Sequence, residues 1–341
     1  MKQEREWSHP RMFTRFRKAA PVAAALMATG LVFAGCSTTS ADEDKPASGE
    51  KITVSTNKGD VQVPKNPKRV VVLDNTSAET VKAMGVTPVA IPRGLFAKSV
   101  LGDWISNADI KDTGTHAEPK LDVIEDVKPD LIIGGYRFAK AEGDIKKIAE
   151  KTGAAFIDIA AEDGAPKGRV ETMRDSTITL GKIFGKDEQA KQIVADFDKS
   201  LDAAKAQATG QSVFLSIVNG GKIDNGAKRM QPFIAPLNLK DVFGGQAGDH
   251  HTNSGLTPEA IAQANPQWVI VMDRDAAVPP TDGSKPQTAA ETFKAQQAFA
   301  NVEFQQKDRI FYLDNDFYIR EGIQDYGENY AKLAEAIAAK K

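Results

Sequence analysis

One cysteine in 341 residues, four histidines, three tryptophans and five tyrosines leave this chain poor in the groups from which most catalytic and metal centres are built. A lone Cys36 cannot close an internal disulfide. A resident zinc or manganese needs three or more convergent ligands. With His9 near the start of the chain, only His116, His250 and His251 remain, so a free-metal receptor or a metallohydrolase is poorly supplied. The chain has no Gly-x-Ser-x-Gly elbow, no His-Glu-x-x-His pair and no glycine-rich loop closing on Gly-Lys-Ser or Gly-Lys-Thr. The commonest nucleophile, metalloprotease and nucleotide-hydrolase chemistries are therefore excluded, and no enzyme is expected. An excess of positive charge is missing too. Forty-four Lys and Arg against 46 Asp and Glu give −2, which denies nucleic acid the basic surface it requires.

No uninterrupted apolar run reaches the roughly 20 residues of a membrane span. What stands first instead is a basic segment with Arg5, Arg11, Arg15, Arg17 and Lys18, followed by an uncharged stretch over residues 19–35 that Pro21, Thr29 and Gly30 interrupt. That order is the n-region and h-region of a secretory signal, predicted over residues 1–35. Phe33-Ala34-Gly35-Cys36 resembles a bacterial lipobox, which implies that Cys36 becomes the lipidated first residue and anchors the protein outside the cytoplasm on the cell membrane. Residues 36–50 hold little beyond Ser, Thr, Ala and charge, and read as a flexible tether. Without the signal the chain keeps 38 basic and 44 acidic residues, a net −6.

Beyond the tether, alternation around Asn57-Lys58-Gly59 predicts a hairpin. Short apolar runs such as Val70-Val71-Val72-Leu73, Leu131-Ile132-Ile133 and Phe156-Ile157-Asp158-Ile159 then alternate with helical stretches, the grammar of parallel βαβ units. Val170, Met173, Thr177, Leu180 and Phe184 recur at helical spacing and Gly185 stops them. A second α/β series follows, with a hairpin-like turn at Asn219-Gly220-Gly221, a helix near Pro232 to Phe243, and a last helix from about Tyr326. The fold class is α/β: two Rossmann-like lobes, residues 51–166 and 187–341, joined by one long helix within 167–186.

The two lobes share spacings. Ile124, Pro129, Ile132-Ile133 and Arg137 match Ile261, Pro266, Val269-Ile270 and Arg274, and Arg69-Val70, Leu73-Asp74 match Arg309-Ile310, Leu313-Asp314. Arg137 and Arg274 each follow a buried strand, at the carboxyl edge where open α/β sheets bind ligands. One cation from each lobe would then face a cleft between them.

These residues resemble a family, the periplasmic and lipoprotein siderophore-binding components of iron ABC importers, of the class III periplasmic-binding-protein type. The resemblance runs through Lys68-Arg69-Val70-Val71-Val72-Leu73, Ala78-Glu79-Thr80-Val81-Lys82-Ala83-Met84-Gly85, Gly114-Thr115-His116-Ala117-Glu118-Pro119, Lys128-Pro129-Asp130-Leu131-Ile132-Ile133 and Leu180-Gly181-Lys182-Ile183-Phe184-Gly185. It is closest to the catecholate-binding branch and implies a monomeric receptor without intrinsic cofactor, whose ligand is a ferric siderophore and whose partners are an ABC permease and its ATPase. The branch's three arginines fall on Arg137, Arg229 and Arg274, with Lys228 as the alternative to Arg229. Its iron-reaching tyrosine and histidine fall on Tyr318 and on His250 or His251. Always-protonated guanidinium groups suit a desolvated anionic complex.

Arg93, Tyr136 and Arg320 also follow predicted strands and are candidates for the cleft lining. Where the family often has a run of small residues, this chain reads Ile319-Arg320-Glu321-Gly322. Glu79 and Glu259, at helix starts, correspond to the acids that dock on the permease. A haem-binding lipoprotein of the same fold, using His116 or His250 with Tyr318, is the alternative. A single linking helix implies only a small closure on binding.

Overall fold

The computed structural model describes residues 49–244, 254–278 and 285–340. In the first lobe the strands are β1 (Lys51–Thr56), β2 (Gly59–Pro64), β3 (Val70–Val72), β4 (Ala90–Ile91), β5 (Lys111–Asp112), β6 (Leu131–Gly134) and β7 (Ala155–Asp158), with helices α1 (Asn75–Ala83), α2 (Lys98–Ser106), α3 (Leu121–Asp126) and α4 (Glu142–Thr152). Strands β1 and β2 pair antiparallel around the two-residue Asn57-Lys58 turn. The other five form a parallel sheet in the order β5-β4-β3-β6-β7. Both faces of that sheet are covered, so alternate residues of one short run serve two cores. Val70, Val72, Leu131 and Ile133 face one side, and Val71, Leu73 and Ile132 the other. This two-sided burial is why the strands read as continuous apolar runs.

Helices α5 (Arg169–Phe184) and α6 (Asp187–Gln207) follow. The expected long helix is α5, and it ends at Gly185 with φ of 62°, a left-handed turn suited to glycine. Met173 on α5 packs into the core of the second lobe, whereas Leu180, Ile183 and Phe184 pack into that of the first. Helix α6 makes the return journey, with Ala190 in the first core and Phe197, Leu201 and Ala204 in the second. The lobes are thus spanned by a helical hairpin. At its bend a Cβ on Gly181 would lie 2.5 Å from Ala190 Cβ, so the two helices meet only because residue 181 has no side chain. Each buried Leu or Phe along this hairpin adds about 1.5–3 kcal/mol of burial to one core or the other.

The second lobe contains β8 (Ser212–Asn219), β9 (Lys222–Asn225), α7 (Ala227–Ile234), β10 (Lys240–Asp241), α8 (Pro258–Ala264), β11 (Trp268–Asp273), α9 (Arg274–Ala277), α10 (Ala289–Lys294), α11 (Glu303–Gln306), β12 (Ile310–Tyr312), α12 (Phe317–Arg320) and α13 (Ile323–Ala339). Its sheet runs β10-β8-β11-β12, parallel throughout, with β9 folded back antiparallel on β8 around Gly220 and Gly221. Helix α7 begins earlier than the composition suggests, because Asn225 Oδ1 accepts the Ala227 amide at 2.9 Å and starts the helix there. Pro232 lies inside it. The repeat between lobes extends to the backbone: α3 and α8 both end in a left-handed residue before proline, Lys128 at φ 43° and Asn265 at φ 45°. Among the described residues no helix is long and apolar enough to cross a membrane.

Candidate functional site

Three segments that follow strands converge on one aromatic ring, which a fourth segment carries. Strand β6 closes at Gly134 and a short turn of 3-10 helix over Tyr136–Phe138 carries Arg137. Strand β11 closes at Asp273, whose carboxylate accepts the Ala276 amide at 2.9 Å and starts α9 with Arg274 as its first residue. Arg229 lies in the first turn of α7, and Tyr318 in α12 after β12. The guanidinium carbons of Arg229, Arg274 and Arg137 lie 5.0, 5.4 and 5.8 Å from the centroid of the Tyr318 ring, within cation–π range. Arg137 comes from the first lobe and the other two from the second, so the cluster bridges the lobes. Arg137 Nη2 also donates to the Tyr318 carbonyl at 3.0 Å. Among the described residues the Nε atoms of Arg229 and Arg274 are buried with no hydrogen-bond partner. Such donors are costly to leave unmet.

Beneath the arginines lies Glu321, which the sequence presents only as a departure from small residues. It is 1% exposed and adopts a left-handed backbone at φ 53°. Its Oε1 accepts from Arg229 Nη2 at 2.5 Å and lies 3.5 Å from Arg169 Nη1; its Oε2 accepts from Arg137 Nη2 at 3.2 Å and from the Tyr136 hydroxyl. Burial alone would raise this carboxyl's pKa, but the guanidinium groups of Arg229, Arg169 and Arg137 outweigh it and bring it down to about 2. The same burial, with Glu321 adjacent, pushes the Tyr136 hydroxyl up to about 12. Arg169, the first residue of α5, is itself buried and engages Asp163 through Nε at 2.9 Å and Nη2 at 2.8 Å. Sequence reasoning found the helix but not this role of its first residue.

Tyr136 therefore joins the cluster, and its ring lies 5.4 Å from the Arg137 guanidinium carbon. Lys228 is exposed, and of the two it is Arg229 that joins the cluster. Arg93 does not join: its Nη2 donates to the carbonyls of Asn107 at 2.6 Å and Ile110 at 2.5 Å, fastening the connection between α2 and β5. Arg320 does not join either. Its guanidinium is held by Glu79, with further contacts to Glu328 and Asp325. Glu79 is consequently engaged inside the protein rather than offered at the surface.

Glu259 is exposed in the first turn of α8. The residue matching it in the other lobe, two before Ile124 as Glu259 is two before Ile261, is Asp122, exposed in the first turn of α3. The repeat spacing was the signal that could have identified it. His116 is exposed on the loop before α3, and burial together with Arg137 and Lys140 lowers its pKa. Cys36, His250 and His251 lie outside the described residues. Among the described residues no group of three or more His, Cys, Asp or Glu could hold a metal ion.

The petrobactin-binding protein YclQ of Bacillus subtilis is 30% identical over 304 residues, covering 85% of this chain and 89% of that protein. The ferric-anguibactin-binding protein FatB of Vibrio anguillarum is 26% identical over 275 residues, 77% of this chain and 82% of that one. The crystal structure of YclQ superposes with a TM-score of 0.71 at 23% identity, over 84% of this chain and 99% of that one. A family model described as periplasmic binding protein matches residues 70–317. With two α/β sheets joined by a helical connection, the family model over residues 70–317 and the YclQ match, the chain belongs to the periplasmic binding protein family and is a binding protein rather than an enzyme.

Proposed function

We propose that this protein is an extracytoplasmic receptor, tethered through Cys36, that holds a ferric siderophore bearing catecholate groups between its lobes and passes it to an ABC permease with its ATPase. The observation that carries this reading is the convergence of Arg137, Arg229 and Arg274, drawn from both lobes, on Tyr318, with two buried guanidinium N–H groups left unmatched. Catecholate oxygens are anionic acceptors on a flat ring, and such a cluster offers them charge-assisted hydrogen bonds beside an aromatic face. The petrobactin-binding and ferric-anguibactin-binding relatives support a ferric siderophore as the ligand. Tyr318, and His250 or His251, are proposed to reach the iron where a siderophore leaves coordination positions open.

Docking on the permease is assigned to Glu259 and, in place of the engaged Glu79, to Asp122. The test is a tryptophan-quenching screen of ferric siderophores of several donor classes. Tight, saturable quenching by catecholate-bearing complexes is expected. Quenching by haemin with a sharp Soret band, and none by ferric siderophores, would overturn the reading in favour of haem.

A further inference from the structure

Three arginines facing a ligand would suit a trianion, but this site carries its own anion. Glu321 lies under the cluster, in contact with Arg137 and Arg229, and is almost fully buried. It is no incidental surface acid. Its backbone is pinned, since a Cβ on the next residue, Gly322, would lie 2.6 Å from the Thr76 carbonyl of the first lobe. Its second oxygen is held by Tyr136. Arg169 does not restore the balance, because Asp163 already engages it. Among the described residues, Arg274 is the cluster arginine with no carboxylate partner, its Nη1 donating to Asn219 Oδ1 at 3.0 Å.

We infer that Glu321 sets the charge of the ligand, matching the site to a dianionic ferric complex rather than a trianionic one. This rests on the ferric-siderophore reading and deepens it. Three guanidinium groups less one carboxylate leave two positive charges in the cluster. The ferric complex that fits has two catecholates and one singly charged bidentate donor, such as a hydroxamate; three catecholates bring one negative charge too many. The repulsion between a buried carboxylate and the ligand scales with the ligand's charge, and that scaling separates a charge-setting residue from a merely structural one. A structural defect would weaken all ligands alike.

The test uses three hexadentate iron(III) complexes: a tris-catecholate, a bis-catecholate monohydroxamate and a trihydroxamate, with charges of minus three, minus two and zero. All saturate the iron, so coordination by the protein does not enter. Dissociation constants are measured by fluorescence quenching for the wild-type protein and for Glu321→Gln, which keeps the side-chain shape. The wild-type protein is expected to bind the dianion tightest. Glu321→Gln is expected to tighten the trianion by about tenfold or more, the dianion by less, and the neutral complex by no more than about twofold. Equal changes for all three complexes would overturn the inference and leave the siderophore reading standing. Should the variant fail to fold, the wild-type order decides: tightest binding of the trianion overturns the inference. If no ferric siderophore binds the wild-type protein, the reading it rests on falls, and the inference with it.

Discussion

Arg320 of the second lobe grips Glu79 of the first through two parallel hydrogen bonds, Nε to Oε1 at 2.7 Å and Nη2 to Oε2 at 2.8 Å. The pair is largely buried, with side chains 5% and 12% exposed. Asn75 adds a bond to the Ile319 carbonyl at 3.0 Å and Thr80 one to Gln324 at 3.1 Å. The lobes are thus fastened to each other beside the arginine cluster as well as through the helical hairpin. Replacing Glu79 by Gln leaves the buried Arg320 short of its main partner, and a loss of about 3 kcal/mol is expected. Denaturant unfolding measures it. A variant as stable as the wild type would mean that the latch contributes nothing.

Acid in the first lobe gives a pH dependence of definite sign. Asp74 caps α1, accepting the Thr76 amide at 3.2 Å and the Thr76 hydroxyl at 2.8 Å, and burial raises its carboxyl to about 6. The folded state therefore binds this proton more tightly than the unfolded chain does. Stability from this group is greatest below about pH 4 and declines as pH rises to about 6, by a few kcal/mol. Asn can cap the helix without titrating. The unfolding free energy of Asp74→Asn is expected to vary less than that of the wild type between about pH 4 and 6. Parallel curves for the two proteins would count against it.

Docking on the permease is expected to separate from ligand binding. Reversal of Asp122 and Glu259 to Lys is expected to abolish iron uptake in cells while siderophore affinity in solution stays within about twofold, because neither lies in the arginine cluster. Undiminished uptake would withdraw both assignments.

The strands and their order of appearance were legible because two-sided burial writes continuous apolar runs, and the hairpins because Gly59, Gly220 and Gly221 mark their turns. Arg137 and Arg274 were legible for a positional reason: each follows a strand, and the strand end is where the sheet presents its ligands. Arg93 is instead taken by nearby carbonyls and Arg320 by a carboxylate, and for Arg320 that partner, Glu79, lies 241 residues away in the chain. Glu321 was visible only as something out of place. Its partners Arg137, Arg169, Arg229 and Tyr136 come from three separate stretches of chain, and no local pattern announces such a meeting.

Arg137, Arg229 and Arg274 are proposed to recognise an anionic ferric complex together. Each is replaced in turn by Gln, and each variant is titrated with a catecholate-bearing ferric complex and with a neutral ferric trihydroxamate. Removing a charge-assisted hydrogen bond to a ligand oxygen costs about 1.5–3 kcal/mol, so a loss of about 10- to 150-fold per site is expected for the anionic complex and much less for the neutral one. Equal, small losses for both complexes would contradict the account.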